Sequence, residues 1–171
     1  MLREDGFVMD DGTTARLSDK HFVMTTTTAA AGQVMRHLEF VHQCLCPQMD
    51  VRFVSVTEQW AQFAVAGPKS RDVLAEVIKD ADPATALSNK RFPWLSARQI
   101  ELGMCPVNAI RVAYTGELGW ELHHPMEMQN YLFDLLEKAG EPHGMKLVGA
   151  RAQNWLRQEK SYRAFGNELG R

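Results

Sequence analysis

The chain has 171 residues, of which 45% are hydrophobic and 23% are charged, and its formal net charge is −2. These proportions are typical of a folded globular domain and exclude general disorder, and the charge balance argues against a nucleic-acid partner held by bulk electrostatics. No apolar run approaches the roughly 20 residues that a membrane-spanning helix needs, so we expect no membrane partner. The N-terminus lacks the apolar segment of a secretory signal, which favours a cytoplasmic location.

The first part of the chain predicts strands and one long helix. The segment at 7–10 ends in the turn signal DDG, and the stretches TTARL and HFVMTTTT each predict a strand. Apolar residues at helical spacing predict a helix over 27–45, which Pro47 ends. The alternating stretch at 51–59 and the stretch WAQFAVAG at 60–67 predict two more strands.

The second part predicts a hairpin between helices. Helical spacing predicts three helices, at Lys69–Lys79, Glu127–Lys138 and Gly149–Lys160. The polar, turn-rich residues 80–92 predict a linker, and the strand at 105–116 is expected to pair with a return strand at 119–125. This order of elements predicts an α+β fold, with antiparallel sheets and flanking helices.

An acid lies in the middle of the predicted strand GWELHHP. Glu121 shares a strand face with Gly119 and His123, whereas Trp120 and Leu122 share the other face. One interpretation is a core on the Trp/Leu side and a solvated Glu121, because charged side chains are mostly exposed. The other is that Gly119 leaves room beside the carboxylate for a flat ligand. A carboxylate accepts two parallel hydrogen bonds, which suits the adjacent N–H and amino donors of a pterin or a guanine.

The acid pair Asp10-Asp11 allows two interpretations. Adjacent acids before a glycine commonly form turns. The alternative is that one carboxylate faces a cavity, where it handles a proton or stabilises a cation. We expect no metal site, because His42 and Cys46 at i,i+4 spacing supply two ligands where three or four are needed.

Five blocks in the same order resemble the aminomethyltransferase (glycine-cleavage T-protein) family of folate-binding domains. The blocks are MDDGTTARL, EQWAQFAVAGPKSRDVL, FPWLS, RVAYTGELGWELHHP and NWLRQEK. The most specific element is the motif Y-T-G-E-x-G-aromatic-E-L, from Tyr114 to Leu122. Within the family, the sequence, especially residues 1–17 and 21–43, is most similar to the sarcosine oxidase α-subunit branch, and dimethylglycine and sarcosine dehydrogenases are more distant.

The resemblance implies a set of site residues. Glu121 is expected to bind the pteridine ring of tetrahydrofolate, with Tyr114 and Gly119 in the same cofactor-binding set. An aspartate of the acid pair is expected to be catalytic, with Asp11 as the better match and Asp10 as the alternative.

The chain also differs from the family pattern at two positions. His123, included in the cofactor-binding set, replaces a frequent tyrosine, and Gln153 stands where many members carry an arginine that helps to hold the folate. Arg151 is the candidate substitute for that arginine. The candidate cations for the glutamate tail of folate are Arg111, Arg151 and Arg157.

The resemblance implies one-carbon capture as the function. The one-carbon unit of oxidised sarcosine would be taken up as 5,10-methylenetetrahydrofolate within a heterotetrameric sarcosine oxidase, an oxidoreductase. FAD, FMN and NAD would bind elsewhere in that complex, and the other subunits would be partners. The alternatives are a T-protein-like aminomethyltransferase, served by an aminomethyl-lipoyl partner, and a non-catalytic scaffold for subunit assembly.

The resemblance further implies an incomplete excerpt of the folate-binding fold. Residues 1–80 would be part of the first subdomain, and residues 81–171 would form the second, with the YTGELGWEL hairpin and helices. The C-terminal barrel would be absent, and we expect the fragment alone to be inactive.

Overall fold

The computed structural model describes residues 1–169 and confirms a mixed fold with antiparallel sheets. A two-stranded sheet pairs β1 with β2, and a four-stranded sheet has the order β3-β6-β5-β4. The strands are β1 (Thr14–Ser18), β2 (His21–Met24), β3 (Trp60–Ala66), β4 (Ala97–Leu102), β5 (Cys105–Ile110) and β6 (Gly119–Pro125). All the strand pairs in both sheets are antiparallel.

Within the described residues, five α-helices connect or flank these strands. They are α1 (Ala31–Phe40), α2 (Ser70–Ala75), α3 (Pro83–Ala86), α4 (Gln129–Gly140) and α5 (Ala150–Glu159). A π-helical turn at Val41–Leu45 continues α1, and short 3-10 turns lie at Thr28–Ala30, Met126–Met128 and Glu141–His143. No helix within residues 1–169 is long and apolar enough to cross a membrane.

The core lies against one face of the four-stranded sheet. Phe63 lies opposite Leu122 and Val65 opposite Trp120, so the apolar positions of β3 and β6 point to the same side. Helices α2 and α4 cover this side with buried leucines. The fully buried residues of this cluster include Leu74, Leu87, Phe92, Leu102, Cys105, Ala109, Trp120, Leu122 and Leu132.

Residues 80–92 are not the free linker that their polarity predicted. Ala86, Leu87 and Phe92 belong to the core, and the ring of Phe92 meets that of Trp120 edge-on at 6.2 Å. These three buried apolar residues therefore anchor the segment to the core, although most of its other residues are polar. The division into two subdomains between residues 80 and 81 stays a prediction. In the structure, β3 lies before that boundary and shares one sheet with β4, β5 and β6, which lie after it.

Two strand assignments differ from the sequence expectation. Residues 51–59 alternate like a strand, but they form no ladder, and Val51 and Val54 remain exposed. Conversely, β4 was missed because Arg98, Gln99 and Glu101 interrupt its apolar pattern. An edge strand needs fewer buried positions than an inner strand, which makes its sequence pattern weaker. Helix α2 is also shorter than the predicted Lys69–Lys79.

The core assignment predicts the effect of truncating one leucine. Leu132→Ala removes a side chain with no exposed surface, so we expect a loss of about 2–5 kcal/mol in the free energy of unfolding. Leu147 is 72% exposed, so Leu147→Ala is expected to change that free energy by less than about 0.5 kcal/mol. Urea unfolding of both variants measures the difference, and equal stabilities would contradict the assignment of this core.

Candidate functional site

Glu121 lies on β6, an inner strand of the four-stranded sheet, on the face opposite the core. Its direct neighbours across the strands are Ala64 on β3 and Ile110 on β5. Trp120 does lie in the core. Only 18% of the Glu121 side chain is exposed, so the carboxylate is largely, but not completely, withdrawn from solvent. The carboxylate lies between two apolar neighbours and keeps a small part of its surface in contact with solvent.

A row of polar side chains crosses the sheet beside Glu121. His123 lies opposite Gln62 and Asn108, and Asn108 lies opposite Gln99, so these four residues form one line across four strands, here called the polar row. His123 is 7% exposed, and its Nε2 is 3.7 Å from Oε2 of Glu121. Within residues 1–169 that Nε2 has no hydrogen-bond partner. Nε2 of His123 therefore has unused hydrogen-bonding capacity next to the Glu121 carboxylate in the described part of the chain.

Gly119 serves close packing. A Cβ at this position would lie 2.8 Å from the Cβ of Ala113 and 2.9 Å from the carbonyl oxygen of Val65. The expectation that Gly119 leaves an open space beside Glu121 is therefore wrong. A glycine is required here because the loop before β6 and the neighbouring strand β3 approach closely.

The loop that carries the rest of the motif is held by the end of α5. Gly116 has a φ of +70°, and a Cβ there would lie 2.5 Å from the Cγ of Lys160. Lys160 Nζ also lies 3.1 Å from Oε1 of Glu117, the first glutamate of the motif. Tyr114 is 37% exposed in the same loop. The contacts of Gly116 and Glu117 with Lys160 therefore fix the backbone of the loop that carries the exposed Tyr114.

The acid pair at 10–11 has one inward and one outward member. Asp10 is 2% exposed, and its Oδ2 accepts the amide N–H of Thr27 at 3.1 Å. Its Oδ1 is buried and, among residues 1–169, has no hydrogen-bond partner. Asp11 is exposed. The geometry thus makes Asp10 the stronger candidate, and the order of preference from the sequence is reversed.

Arg157 is committed to the fold. Its Nη1 donates to Oε2 of Glu168 and to the carbonyl oxygen of Tyr162, both at 2.7 Å, and Asn154 Oδ1 accepts from its Nε and Nη2. The hydrogen bond to Glu168 raises the pKa of Arg157, and the same bond lowers the pKa of Glu168 to about 2. A cation occupied in this way is not free to hold a folate tail.

Arg111 lies on the core side of the sheet, so it is not placed to hold a folate tail that binds on the Glu121 face. Its guanidinium group lies over the ring of Trp120, 5.8 Å from the centroid, and donates to the carbonyl oxygen of Phe92 at 2.6 Å. Because Trp120 and Glu121 point to opposite faces, Arg111 does not border the Glu121 face.

Arg151 and Gln153 lie in the first turn of α5. Arg151 is exposed and makes no ion pair within the described part of the chain, while Gln153 is partly buried. Of the three candidate cations, Arg151 is the one that is accessible.

The other three members of the polar row were not predicted from the sequence. Gln62, Asn108 and Gln99 are ordinary polar residues in their own strands, and their alignment depends on the pairing register. A signal existed in Asn108, a polar residue within the apolar stretch CPVNAI.

The comparisons with known proteins agree with this fold. Residues 1–171 match the family described as GCVT N-terminal domain. The chain is 46% identical over 164 residues to sarcosine oxidase subunit alpha of Rhizobium meliloti (strain 1021), which covers 95% of this chain and 16% of that protein. It is 33% identical over 169 residues to mitochondrial dimethylglycine dehydrogenase of Homo sapiens, which covers 99% of this chain and 19% of that protein. The chain therefore spans less than a fifth of either relative.

A solved structure has a similar fold. Heterotetrameric sarcosine oxidase from Corynebacterium sp. U-96, in complex with pyrrole 2-carboxylate, matches with a TM-score of 0.60 and 16% identity. The match covers 81% of this chain and 64% of that one.

The Arg157–Glu168 pair predicts a dependence of stability on pH. The pKa of Glu168 is about 2 in the folded chain and 4.5 as its ordinary value, so the pair contributes stability above pH 4.5. This contribution is lost as pH falls toward 2. We therefore expect Glu168→Gln to lower the free energy of unfolding at pH 7 and to match the unmodified chain near pH 2, as measured by urea unfolding.

The matched control is Glu159→Gln, at an exposed glutamate of α5. It is expected to leave the free energy of unfolding nearly unchanged at both pH values. A constant difference between Glu168→Gln and the unmodified chain from pH 7 to pH 2 would contradict the linkage.

Proposed function

The chain belongs to the GCVT N-terminal domain family, and we propose that it is the tetrahydrofolate-binding segment of a sarcosine oxidase α subunit. In this proposal the segment captures the one-carbon unit of oxidised sarcosine as 5,10-methylenetetrahydrofolate. The similarity to sarcosine oxidase subunit alpha, which extends over nearly the whole chain, supports the assignment to that enzyme. The observation that carries the folate proposal is the largely buried Glu121, which lies beside His123 on the face opposite the core.

The environment of Glu121 suits a flat ring with adjacent donors. A carboxylate accepts two parallel hydrogen bonds, and such charge-assisted bonds strengthen where water is partly excluded. The side chains directly opposite Glu121 on the neighbouring strands, Ala64 and Ile110, are not hydrogen-bond donors. The pterin ring is therefore proposed to lie against this face, with its N–H and amino donors on Glu121.

The next member of the site is the unpaired imidazole nitrogen. His123 Nε2 and the amides of the polar row lie on the same face and can bond to the other polar atoms of the ring. Tyr114, exposed on its fixed loop, is proposed to contact the same ligand. Arg151 is proposed to bind the carboxylates of the glutamate tail.

Asp10 is proposed to handle the proton. Tetrahydrofolate would supply the two amine nitrogens that take up the one-carbon unit, and one of them must lose a proton. A buried carboxylate oxygen such as Oδ1 of Asp10, which has no partner among residues 1–169, can accept that proton and can stabilise a positive charge nearby. The amide of Thr27 fixes the other oxygen, which orients the group.

Oxidation itself is assigned to other parts of the complex. We propose that FAD, FMN and NAD bind outside this segment, that the other subunits of a heterotetramer are its partners, and that the complex is cytoplasmic. A T-protein-like aminomethyl transfer is the nearest alternative. A non-catalytic scaffold role has one observation in its favour, because Ala113 fills the space next to Gly119 that a ligand was expected to use.

The role of Glu121 predicts a loss of folate affinity. In the full-length polypeptide with its partner subunits, Glu121→Ala is expected to weaken the binding of 5-formyltetrahydrofolate by roughly 1.5–3 kcal/mol, the scale of a charged hydrogen bond left unmade. Isothermal titration calorimetry measures the change. The matched control is Glu137→Ala, at an exposed glutamate on α4, which is expected to bind normally. Equal affinities for the two variants would remove the assigned role and favour the scaffold.

The role of Asp10 predicts a loss of product with binding retained. Asp10→Asn keeps an oxygen for the Thr27 amide, so near-normal folate affinity is expected. The yield of methylenetetrahydrofolate per sarcosine oxidised is expected to fall, with the remainder appearing as free formaldehyde. Asp11→Asn, at the exposed neighbour, is expected to leave that yield unchanged. The opposite result for the two variants would return the role to Asp11.

A further inference from the structure

Two arginines meet on the core side of the sheet. Nη2 of Arg71 on α2 and Nη2 of Arg111 after β5 donate to the same atom, Oδ1 of Asn89, at 2.6 Å and 2.8 Å. Their guanidinium groups are therefore brought within a few ångströms of each other by one neutral acceptor. Like charges at such a distance repel, and the repulsion is least screened where water is excluded.

The charge of this pair is not balanced. Within residues 1–169 neither Arg71 nor Arg111 has a carboxylate within ion-pair distance. The Nε atoms of both side chains are buried without a hydrogen-bond partner in the same part of the chain. Arg111 is 9% exposed, and burial, followed by the charge of Arg71, lowers its pKa. Buried charges are normally paired, so the absence of a counter-charge here points to an anion.

The neutral acceptor occupies the place where an anion would bind. Asn89 is exposed, so its amide can rotate into solvent and leave two planar donor groups that face the vacated position. Arg71 is partly exposed and opens the pair to solvent. A planar guanidinium group matches a carboxylate through two parallel hydrogen bonds.

We infer that Arg71 and Arg111 form a carboxylate-binding site, in which the oxygens of the bound group replace the amide oxygen of Asn89. The group is either a small free dicarboxylate or an aspartate or glutamate side chain of another polypeptide. This site is separate from the proposed folate site, because Arg111 lies over Trp120 and Glu121 points to the other face.

Arginine Nε–Hε resonances report the binding directly. We propose to titrate the ¹⁵N-labelled chain with glutarate, and separately with acetyl-Ala-Glu-Ala-amide, at constant ionic strength. Saturable shifts of the Arg71 and Arg111 resonances are expected with at least one probe. A response to glutarate alone identifies a free dicarboxylate, whereas tighter binding of the peptide identifies a side chain of another polypeptide. No saturable shift with either probe would overturn the inference.

Variants separate this site from general surface charge. Arg71→Gln is expected to weaken binding at least about tenfold, because it removes one of two charged donors. The matched control is Arg91→Gln, an exposed arginine on the adjacent loop, which is expected to bind normally. An equal loss in both variants would mean attraction by net charge alone and would overturn the inference.

Asn89→Asp tests the proposed position of the anion without removing an arginine. It supplies a built-in carboxylate, so we expect a higher melting temperature and no remaining shift with glutarate. Asn167→Asp makes the same chemical change at another exposed asparagine and is expected to leave the titration unchanged. A full response to glutarate in Asn89→Asp would contradict the proposed position of the anion. These results do not depend on folate binding, so this inference can fail while the proposed function stands.

Discussion

The strict alternation of side chains along β6 is the constraint on which the molecule depends. Trp120 and Leu122 are fully buried on one side, and their burial fixes which way the intervening Glu121 must point. Pairing with β3 and β5 on both sides leaves the strand no freedom to rotate. The hydrophobic effect that stabilises the core therefore also places a carboxylate and an imidazole on the opposite face, so packing and chemistry are set by the same few residues.

The buried arginines show how similar side chains take different roles. Arg157 has a counter-charge in Glu168 and joins α5 to the segment that follows it. Arg111 has a carbonyl and an amide as acceptors and an aromatic ring beneath it, but no acid within residues 1–169. A paired buried charge acts as a structural link, whereas an unpaired one keeps part of its desolvation cost and can be stabilised by a ligand.

Sequence reasoning succeeded where local pattern and burial coincide. The hairpin of β5 and β6 was predicted from apolar stretches and glycines, and its apolar face is the observed core. Long-range strand pairing could not be predicted from the sequence, because Gln62, His123 and Asn108 align only when three strands are in register. The same limit applies to Asp10 and Asp11, since adjacent identical residues differ only in which one the fold buries. For Gly119, the sequence suggested open space beside Glu121, but Ala113 of the preceding loop fills that space, a contact that appears only in the folded chain.

The double pairing of β6 also limits how the chain can vary in length. Removing or adding one residue at the start of β6 would shift the rest of the strand by one position against β3 and β5 and exchange its two faces. Trp120 would then be turned toward the face that now carries Glu121, and Glu121 would be turned into the apolar interior, where a carboxylate without a partner is costly. In any lineage that keeps this segment, insertions and deletions should therefore accumulate outside β6.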